Sequence, residues 1–449
     1  MTVVGGDRAA SDAICGRIAA LEGTGMRTFT DDEPLVWERT RGSTVWDADG
    51  REYLDLYGGF AAATVGYCHP AVTRAIARQA ETMTHCPSAI PSAVRAELYE
   101  RLVAIAPDSL GRVLLAVTGA LANETAVQLA RAATGRRGVV TFSGTYVGRT
   151  LGSVPYAGKH AYRAQLGASA GAHFLPFPDP YRSPWAGERD PGEAVLALLN
   201  DLLSDPASGV EPPACVLVEP IQGNGGVLIP PPDFLRGLRR LCDEHGVLLV
   251  FDEIQCGFGR SGRMWACDHE GVVPDLLTVG KGIGGGLAIA ALLGREDVMT
   301  TWGPDAITST FLANALTGAA ACAAIDVVRD EGLVERSRVL GERALARLDE
   351  ALADSSHVGD VRGRGLFWGV ELVRERASKA PFDPALSLHA RIKREAMSRG
   401  LMVYPMGGTV DGRYGDHVLL APPFIATESE LATAVERLRA AIDAAIPNP

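Results

Sequence analysis

The sequence has 449 residues, of which 47% are hydrophobic and 22% charged, a length and balance typical of a soluble globular enzyme with two or three domains. The formal net charge of −11 argues against binding of a nucleic-acid backbone as the main activity, because such proteins carry basic patches. No apolar stretch reaches the roughly 18 residues that span a bilayer, so we expect no membrane span. The eight cysteines form no CxxC pair, so we expect neither a zinc site nor a disulfide framework, and no metal is predicted.

The N-terminal part of the chain predicts a helix, a hairpin and a second helix. The first helix is predicted around Ala9–Leu21. The residues before it lack the basic and apolar pattern of a signal peptide, so the expected compartment is the cytoplasm. Residues 43–55 contain two β-rich runs around an Asp-Gly turn, which is typical of a β-hairpin. Tyr57 follows this hairpin, and a second helix is predicted over residues 71–83.

A strand and a helix then meet at a turn that is a candidate anion site. The apolar run 112–117 ends at Thr118, Gly119 and Ala120, and a helix is predicted over residues 121–133. The first backbone N–H groups of a helix are unpaired and its dipole favours negative charge, so this turn is suited to a phosphate. Many strand-to-helix turns share the pattern, and the turn alone does not identify a ligand.

The next strand ends also carry side chains of chemical interest. Val139–Phe142 is an apolar strand, and the ring of Tyr146 beyond it could stack on a planar ligand or simply pack. Residues 174–193 are rich in proline and charge and are predicted as a surface loop. Cys215–Val218 is a further strand, which ends at Glu219.

The stretch 247–286 carries the strongest chemical signal. The apolar run 247–251 ends at Asp252, and the apolar run Leu276–Val279 is followed closely by Lys281. Each run has the length and composition of a buried strand in a parallel sheet. Open α/β sheets bind ligands at the carboxyl ends of their strands, so the carboxylate and the lysine are expected at one edge. They could form a plain ion pair, or they could hold a cofactor between them.

The remaining elements predict the domain organisation. Strands and helices alternate as far as a helix over residues 313–329, after which a smaller α+β pattern follows. Its predicted elements are a helix at 335–353, a strand-like run at 363–372, a helix at 387–398, strands at 401–404 and 417–421, and a helix at 428–444. We predict an N-terminal segment over 1–91, a large α/β domain over 92–330 and a small α+β domain over 331–449 to which both termini contribute.

The central stretch resembles the class III aminotransferases, which are pyridoxal-phosphate enzymes of fold type I. The resemblance rests on FDEIQCGFGRSG at residues 251–262 and PDLLTVGKGIGGG at residues 274–286. Supporting matches lie at residues 144–150, 219–226, 310–314 and 421–423, and the resemblance covers nearly the whole chain. It implies a mostly parallel central sheet in a large domain, a smaller α+β domain, and pyridoxal 5′-phosphate as the cofactor.

The resemblance also implies roles for the residues around the cofactor ring. Lys281 would form the Schiff base with the cofactor aldehyde and move the proton between the substrate Cα and C4′ of the cofactor. Asp252 would face the pyridine nitrogen and keep it protonated, so that the ring can accept electrons. Gln255 resembles the residue that hydrogen-bonds the ring hydroxyl, and Tyr146 the residue that stacks on the ring.

Further roles concern the phosphate and the neighbouring subunit. Thr118, Gly119 and Ala120 match the phosphate loop, and Glu219 lies at the position of a buried glutamate on the substrate side. Thr310 resembles the residue that reaches the phosphate of the neighbouring subunit's cofactor. The resemblance therefore implies a homodimer with active sites at its interface.

The sequence departs from the family at several positions. Ala120 and Leu121 replace a hydroxyl residue and a glutamate in the phosphate loop, and Val147 stands where a histidine is usual. Family members that use glutamate and 2-oxoglutarate often carry a paired arginine and glutamate, whose positions here are Leu419 and Asn224. Losing both charges is physically coherent, because a lone buried charge is costly. We infer that glutamate and 2-oxoglutarate are not the obvious amino-group couple.

Three residues are candidates for contact with the substrate. Arg149 lies at the position that grips a distal carboxylate in 4-aminobutyrate-type enzymes, although an arginine there is common across the family. Tyr57 and Arg413, the latter in a glycine-rich loop, are further candidates.

Three functions remain open. The first is transfer of an amino group from an ω-amino acid or amine to a small keto acid such as pyruvate. The second is racemisation or epimerisation on the same fold, with decarboxylation as a variant, because a segment like 178–182 also occurs in that branch of the family. The third is a non-catalytic binding protein, which the intact Lys281 and Asp252 disfavour. The partners expected are a small amino donor and a keto acid, with neither nucleic acid nor membrane.

Overall fold

The computed structural model describes residues 8–23, 25–26, 35–167, 171–185 and 189–447. The strands in this part of the chain are β1 Trp37–Arg41, β2 Thr44–Asp47, β3 Glu52–Asp55, β4 Arg112–Ala116, β5 Val139–Phe142, β6 Ala172–Leu175, β7 Cys215–Val218, β8 Leu248–Asp252, β9 Leu276–Val279, β10 Ala290–Gly294, β11 Val358–Arg364, β12 Phe367–Leu372, β13 Leu401–Met402, β14 Tyr404–Gly407 and β15 Asp416–Leu420. They form three separate sheets.

Helices cover these sheets and connect their strands. The helices are α1 Ala9–Leu21, α2 Gly58–Ala61, α3 Pro70–Thr82, α4 Ala93–Ile105, α5 Gly119–Thr134, α6 His160–Ala164, α7 Pro191–Ser204, α8 Phe234–His245, α9 Glu296–Met299, α10 Ala315–Asp330, α11 Leu333–Leu352, α12 Leu388–Ser398 and α13 Glu428–Ala445. Within the described residues, no helix combines the length and the hydropathy that crossing a bilayer requires.

The central sheet has seven strands in the order β4-β10-β9-β8-β7-β5-β6. Strand β10 runs antiparallel to both of its neighbours, and the other pairs are parallel. The mostly parallel sheet that the alternating pattern predicts is therefore confirmed. Strands β5, β7 and β9 are buried along their whole length, as expected for strands covered on both faces. Because β8 and β9 are parallel neighbours, Asp252 and Lys281 emerge at the same edge.

Local signals set the ends of the helices that follow this sheet. Thr118 caps α5 by accepting a hydrogen bond from the Leu121 N–H, and Gly135 ends the helix with φ of +70°. In α13, Thr427 and Glu430 form a reciprocal capping box. The predicted helix at 121–133 therefore begins two residues earlier in the structure.

The two smaller sheets bring distant parts of the chain together. One has the order β1-β2-β3-β13 and joins strands from both ends of the chain, because β13 pairs in parallel with β3. The other is antiparallel, in the order β11-β12-β15-β14. The single strand predicted over residues 363–372 was wrong, since Gly365 makes a turn with φ of +55° that separates β11 from β12. The domain limits stay a prediction.

The loop predicted over residues 174–193 was too long. Its first two residues belong to β6, and its last three belong to α7, whose N-terminal Pro191 follows the capping residue Asp190. Only Leu175 of β6 is buried, so this edge strand lacks the continuous apolar pattern of its neighbours. An N-cap followed by proline is a helix signal that the composition of the segment concealed.

Candidate active site

Asp252 ends strand β8, and it is only 3% exposed. Its Oδ2 accepts a hydrogen bond from Asn123 Nδ2 at 2.6 Å, and its Oδ1 accepts one from the Ile254 backbone N–H at 3.0 Å. Burial raises the pKa of Asp252, and these two hydrogen bonds act against that rise. The strand end therefore presents one carboxylate in a fixed orientation.

Asn123 holds that orientation, and the sequence interpretation missed it. Besides Asp252, Nδ2 also donates to the Val147 carbonyl oxygen at 3.1 Å, and Oδ1 accepts from Thr278 Oγ1 at 2.8 Å. Both amide hydrogens and the amide oxygen are thus used, as burial of a polar side chain requires. A polar residue on the buried face of α5, among alanines, valine and leucine, was the available signal.

Lys281 follows strand β9 by two residues and opens a single 3₁₀ turn, Lys281–Gly284. Its φ of +46° is uncommon for a residue other than glycine, and such backbone strain concentrates at functional sites. Burial lowers the pKa of the Lys281 amine, although the charges of Asp252 and Glu219 oppose the change. A buried amine with a lowered pKa is suited to act as a base or a nucleophile.

The plain ion pair considered for Asp252 and Lys281 does not form. No ion pair within 4.0 Å joins Lys281 to a carboxylate anywhere in the described ranges. The two groups influence each other through their charges but are left apart at the same sheet edge. Their arrangement leaves both available to a third group.

Glu219 follows strand β7 and ties together two loops at this edge. Oε1 accepts hydrogen bonds from Thr145 Oγ1 at 2.5 Å and from the Tyr146 N–H at 3.0 Å, and Oε2 accepts one from the Gly223 N–H at 3.0 Å. Burial, and then the nearby charge of Asp252, raise the pKa of Glu219 to about 7. Glu219 therefore positions the backbone that carries Tyr146.

The candidate phosphate loop packs against the turn that follows Asp252. Thr118 is the N-cap of α5, and Gly119 and Ala120 form the start of its first turn. A methyl group on Gly119 would lie 2.7 Å from Ile254 Cδ1, so the absence of a side chain lets the first turn of α5 lie close to Ile254. This contact holds the N-terminus of α5 beside the turn that follows Asp252.

Gln255 and Tyr146 lie in the loops that follow β8 and β5 at this edge of the sheet. A methyl group on Gly223 would lie 2.0 Å from Gln255 Oε1, which places the amide directly against the loop after β7. The Tyr146 side chain is 38% exposed, and its ring meets the ring of Tyr162 edge to face, with centroids 5.9 Å apart. One face of Tyr146 is thus available to a planar ligand.

The remaining candidates differ in their surroundings. Tyr57 packs against Phe60 and Tyr404, with ring centroids 4.6 Å and 5.4 Å away, and Tyr404 pairs across the strands with the position of Leu419. Thr310 and Arg413 are exposed. The Arg413 guanidinium lies 5.6 Å from the centroid of the neighbouring Tyr414 ring, and no described contact joins Arg413 to Lys281.

Positions 419 and 224, where some family members carry a paired arginine and glutamate, have neutral surroundings in this chain. Leu419 is fully buried in an apolar cluster with Ile221, Phe367 and Ala421. Asn224 donates a hydrogen bond from Nδ2 to the Tyr162 hydroxyl at 3.1 Å. An isolated arginine at position 419 would be a buried charge without a partner.

Tyr162 is a second residue that sequence reasoning missed. Besides Tyr146 and Asn224, it contacts Arg149, whose guanidinium carbon lies 4.2 Å from the Tyr162 ring centroid. It lies in the five-residue helix α6, which carries no motif. No signal in the sequence marks this residue, because its contacts come from two separate loops, one after β5 and one after β7.

These groups fit pyridoxal phosphate by the chemistry of their donors. A fixed buried carboxylate suits a protonated ring nitrogen, an unpaired lysine suits an aldehyde, an exposed tyrosine face suits the ring, and a helix N-terminus suits the phosphate. Set at the carboxyl edge of a mostly parallel sheet, they define a pyridoxal-phosphate enzyme of fold type I.

Comparison with known proteins narrows this class. Residues 28–442 match the family model described as aminotransferase class-III. A 5-aminovalerate aminotransferase of Pseudomonas aeruginosa is 36% identical over 83% of this chain and 86% of its own length. A leucine/methionine racemase of Thermococcus litoralis is 32% identical over 91% of this chain and 90% of its own length.

A solved structure agrees with the family match. It is an amine transaminase from an uncultivated Pseudomonas species in its PLP-bound form, with a TM-score of 0.86 and 30% identity. The alignment covers 94% of this chain and 98% of that one. The chain belongs to the class III aminotransferase family, and its cofactor is pyridoxal phosphate.

Proposed function

We propose that this aminotransferase moves the amino group of an ω-amino acid or amine to a small keto acid such as pyruvate. The cofactor chemistry rests on a Lys281 amine that lies near the fixed Asp252 carboxylate without pairing to it. A structural ion pair would bring these charges into contact, whereas a shared ligand requires them to stay apart. The choice of substrate rests on Arg149 together with the neutral Asn224 and Leu419.

The roles of the residues follow from their chemistry. Pyridoxal phosphate, when bound, supplies a carbon that bonds the substrate nitrogen and a ring that takes up the electron pair left at the substrate Cα. Lys281 removes the proton at that Cα, and its lowered pKa favours the neutral amine that this needs. Asp252 holds a proton at the ring nitrogen, and Asn123 keeps the carboxylate pointed at it.

The other contacts hold the cofactor in place. Thr118, Gly119 and Ala120 bind the phosphate at the start of α5, with Tyr146 stacked on the ring. Gln255 hydrogen-bonds the ring hydroxyl. Glu219 contributes on the substrate side through the two loops it joins.

The substrate preference is inferred from the neutral side chains of Leu419 and Asn224 and from the positive charge of Arg149. Leu419 and Asn224 stand where family members that use glutamate and 2-oxoglutarate often carry a paired arginine and glutamate. The absence of both charges disfavours these two substrates. Arg149 is an exposed cation, and it suits a carboxylate distant from the reacting amine. The name of the 5-aminovalerate aminotransferase, which denotes an ω-amino acid substrate for that protein, supports the same direction.

Racemisation is the second candidate, because a related protein is named as a racemase. It differs only in that the proton returns to the substrate Cα from the opposite face. The segment 178–182, shared with that branch, does not add support. Its Arg182 pairs with Glu371 of β12 and donates to the Lys379 carbonyl oxygen, so the segment packs on the C-terminal sheet.

We further propose a cytoplasmic homodimer in which Thr310 reaches the cofactor of the neighbouring subunit. Thr310 is exposed, and the adjacent Phe311 side chain is 61% exposed, as expected for a surface that a second copy covers. Light scattering on the purified holoenzyme measures the mass, and a monomer would contradict the assembly. If the role of Thr310 is right, Thr310→Ala should raise the Kd for pyridoxal phosphate.

The reaction is tested with the purified holoenzyme and single substrates. With 5-aminopentanoate and pyruvate, we expect alanine to form, and without pyruvate the cofactor absorbance should shift to that of the pyridoxamine form. The parallel assay follows the optical rotation of single L-amino acids. Loss of rotation without alanine formation or an absorbance shift would overturn transfer in favour of racemisation.

A further inference from the structure

Tyr162 contacts three residues of the candidate site, namely Tyr146, Arg149 and Asn224. Its hydroxyl oxygen accepts a hydrogen bond from Asn224 Nδ2 at 3.1 Å. The guanidinium carbon of Arg149 lies 4.2 Å from its ring centroid, and its ring meets that of Tyr146 at an interplanar angle of 85°. One side chain therefore joins the ring-stacking tyrosine, the candidate carboxylate anchor and the position of the missing glutamate.

The stacking on Tyr162 orients Arg149 without using any of its hydrogen-bond donors. A guanidinium has five N–H donors and no acceptor, and in the described parts of the chain none of those of Arg149 has a protein partner. Contact with an aromatic face engages the plane of the guanidinium and leaves its edge free. Arg149 is thus an oriented cation whose donors are open to an incoming acceptor.

The direction of the hydrogen bond to Asn224 leaves a second donor open. Because the amide donates, the Tyr162 oxygen is the acceptor and the phenol proton remains available. Among the residues that the structure describes, no acceptor takes that proton. A glutamate at position 224 would reverse this, since a carboxylate only accepts and would bind the phenol proton itself.

The loop that carries Asn224 is held from both sides, which fixes the position from which its side chain meets Tyr162. The Gly223 N–H donates to Glu219 at 3.0 Å, and the Gly226 carbonyl oxygen accepts from Arg362 Nε at 2.9 Å. Arg362 is itself fixed by Glu371, whose Oε2 lies 2.8 Å from its Nη1. The amide of Asn224 therefore meets Tyr162 from a backbone that is anchored by Glu219 after β7 and by Arg362 of β11.

We propose that Tyr162 is a specificity-determining residue that, together with Arg149, selects substrates carrying a carboxylate distant from the reacting amine. Its ring orients the guanidinium, and its hydroxyl donates a second hydrogen bond to the same carboxylate. Asn224 makes that hydroxyl available by occupying its oxygen. The proposal rests on the proposed transfer of ω-amino groups and names the residue that sets its preference.

The test compares two amines that differ only in the distant carboxylate, 5-aminopentanoate and pentylamine. For the holoenzyme and each variant, kcat/KM is measured with both amines and pyruvate, and their ratio is the carboxylate preference. Tyr162→Phe keeps the ring and loses the hydroxyl, so we expect the ratio to fall about tenfold. Tyr162→Leu also loses the stack and should approach the ratio of Arg149→Ala. In all three variants, kcat/KM with pentylamine should fall much less than kcat/KM with 5-aminopentanoate.

Two further variants separate this role from a structural one. Tyr99→Phe removes a hydroxyl from α4, outside the site, and should leave the ratio unchanged. Asn224→Glu captures the phenol proton and should lower the ratio in the native background more than in the Tyr162→Phe background. Binding of pentanoate, which has no amine, is measured by calorimetry and should weaken about tenfold in Tyr162→Phe.

The outcomes distinguish the two proposals. If the native enzyme transfers amino groups with a clear carboxylate preference that Tyr162→Phe leaves intact, the role of Tyr162 is overturned and the proposed function stands. If equal losses occur with both amines, Tyr162 is structural and the inference is likewise overturned. If the native enzyme transfers from neither amine, both proposals fail together.

Discussion

The side of the site that holds Asp252 and the side that holds Arg149 differ in how many of their polar groups are already paired. Around Asp252, the amide of Asn123 uses both hydrogens and its oxygen, and Thr278 completes the network. Around Arg149, the only described contact of the guanidinium is the Tyr162 ring. The first side is buried, and the second faces solvent.

This difference separates chemistry from specificity. A saturated network permits one orientation of the carboxylate, which favours a single task for Asp252 whatever the substrate. Open donors on short loops can be exchanged without disturbing that network. In this chain the cofactor chemistry and the substrate contacts thus rest on different groups of residues, and the following predictions test that separation.

Removing Lys281 should have the largest effect. Lys281→Ala lacks the amine that moves the proton at the substrate Cα, so we expect kcat to fall by about 10⁴-fold. The measurement is keto-acid release by the purified holoenzyme. Lys281→Arg retains the charge but should not restore turnover, since a guanidinium does not act as a base. Survival of native turnover would refute the cofactor assignment.

Neutralising Asp252 should have the second largest effect on kcat. Asp252→Asn keeps the shape of the side chain but no longer stabilises a proton on the ring nitrogen, so kcat should fall by about 10²-fold to 10³-fold. Cofactor affinity, measured by fluorescence titration of the apoenzyme, should change much less. A loss of affinity with unchanged kcat would show that the carboxylate only anchors the cofactor.

Replacing Asn123 should lower kcat less than replacing Asp252 does, and it should also destabilise the folded protein. Asn123→Ala removes the donor to Asp252 Oδ2 and the acceptor of Thr278 Oγ1 in a buried site, so the free energy of unfolding should fall by about 1–3 kcal/mol in urea. We expect kcat to fall less than in Asp252→Asn. Gln128→Ala, on the exposed face of the same helix, is the control and should change neither quantity.

The smallest expected effect is a shift in pH dependence. Burial lowers the pKa of Lys281, so the neutral amine exists at a lower pH than in an exposed lysine, whose pKa is about 10.4. The rate at which apoenzyme combines with pyridoxal phosphate should therefore rise with pH through that lowered pKa. The charge of Asp252 opposes the lowering, so Asp252→Asn should move the rise to still lower pH. A shift to higher pH would contradict the coupling.

The sequence predicts the parts of the fold that depend on short-range pattern. Strands β5, β7 and β9 are short buried runs of mainly apolar residues, and their predicted bounds match the structure. The edge strand β6 was missed because only one of its four residues is buried. The hairpin β11–β12 was merged into one strand because its turn depends on a single left-handed glycine.

The candidate site divides in the same way. Asp252 and Lys281 are visible in the sequence because Asp252 ends one apolar strand and Lys281 follows another by two residues, and motif matches indicate the residues around them. Asn123 and Tyr162 were missed because their roles arise from tertiary contacts. Asn123 meets residues from three other elements or loops, and Tyr162 sits in a helix of five residues without a motif.

The pairing of β13 with β3 bears on when the protein can mature during synthesis. The central sheet draws its strands from residues 112–294, whereas the small sheet must wait for residues near the C-terminus. Tyr57 follows β3 directly, so we expect the site to be completed only after most of the chain has left the ribosome. A ribosome-bound chain that ends before residue 400 would lack the β3–β13 pairing beside Tyr57, the candidate substrate residue.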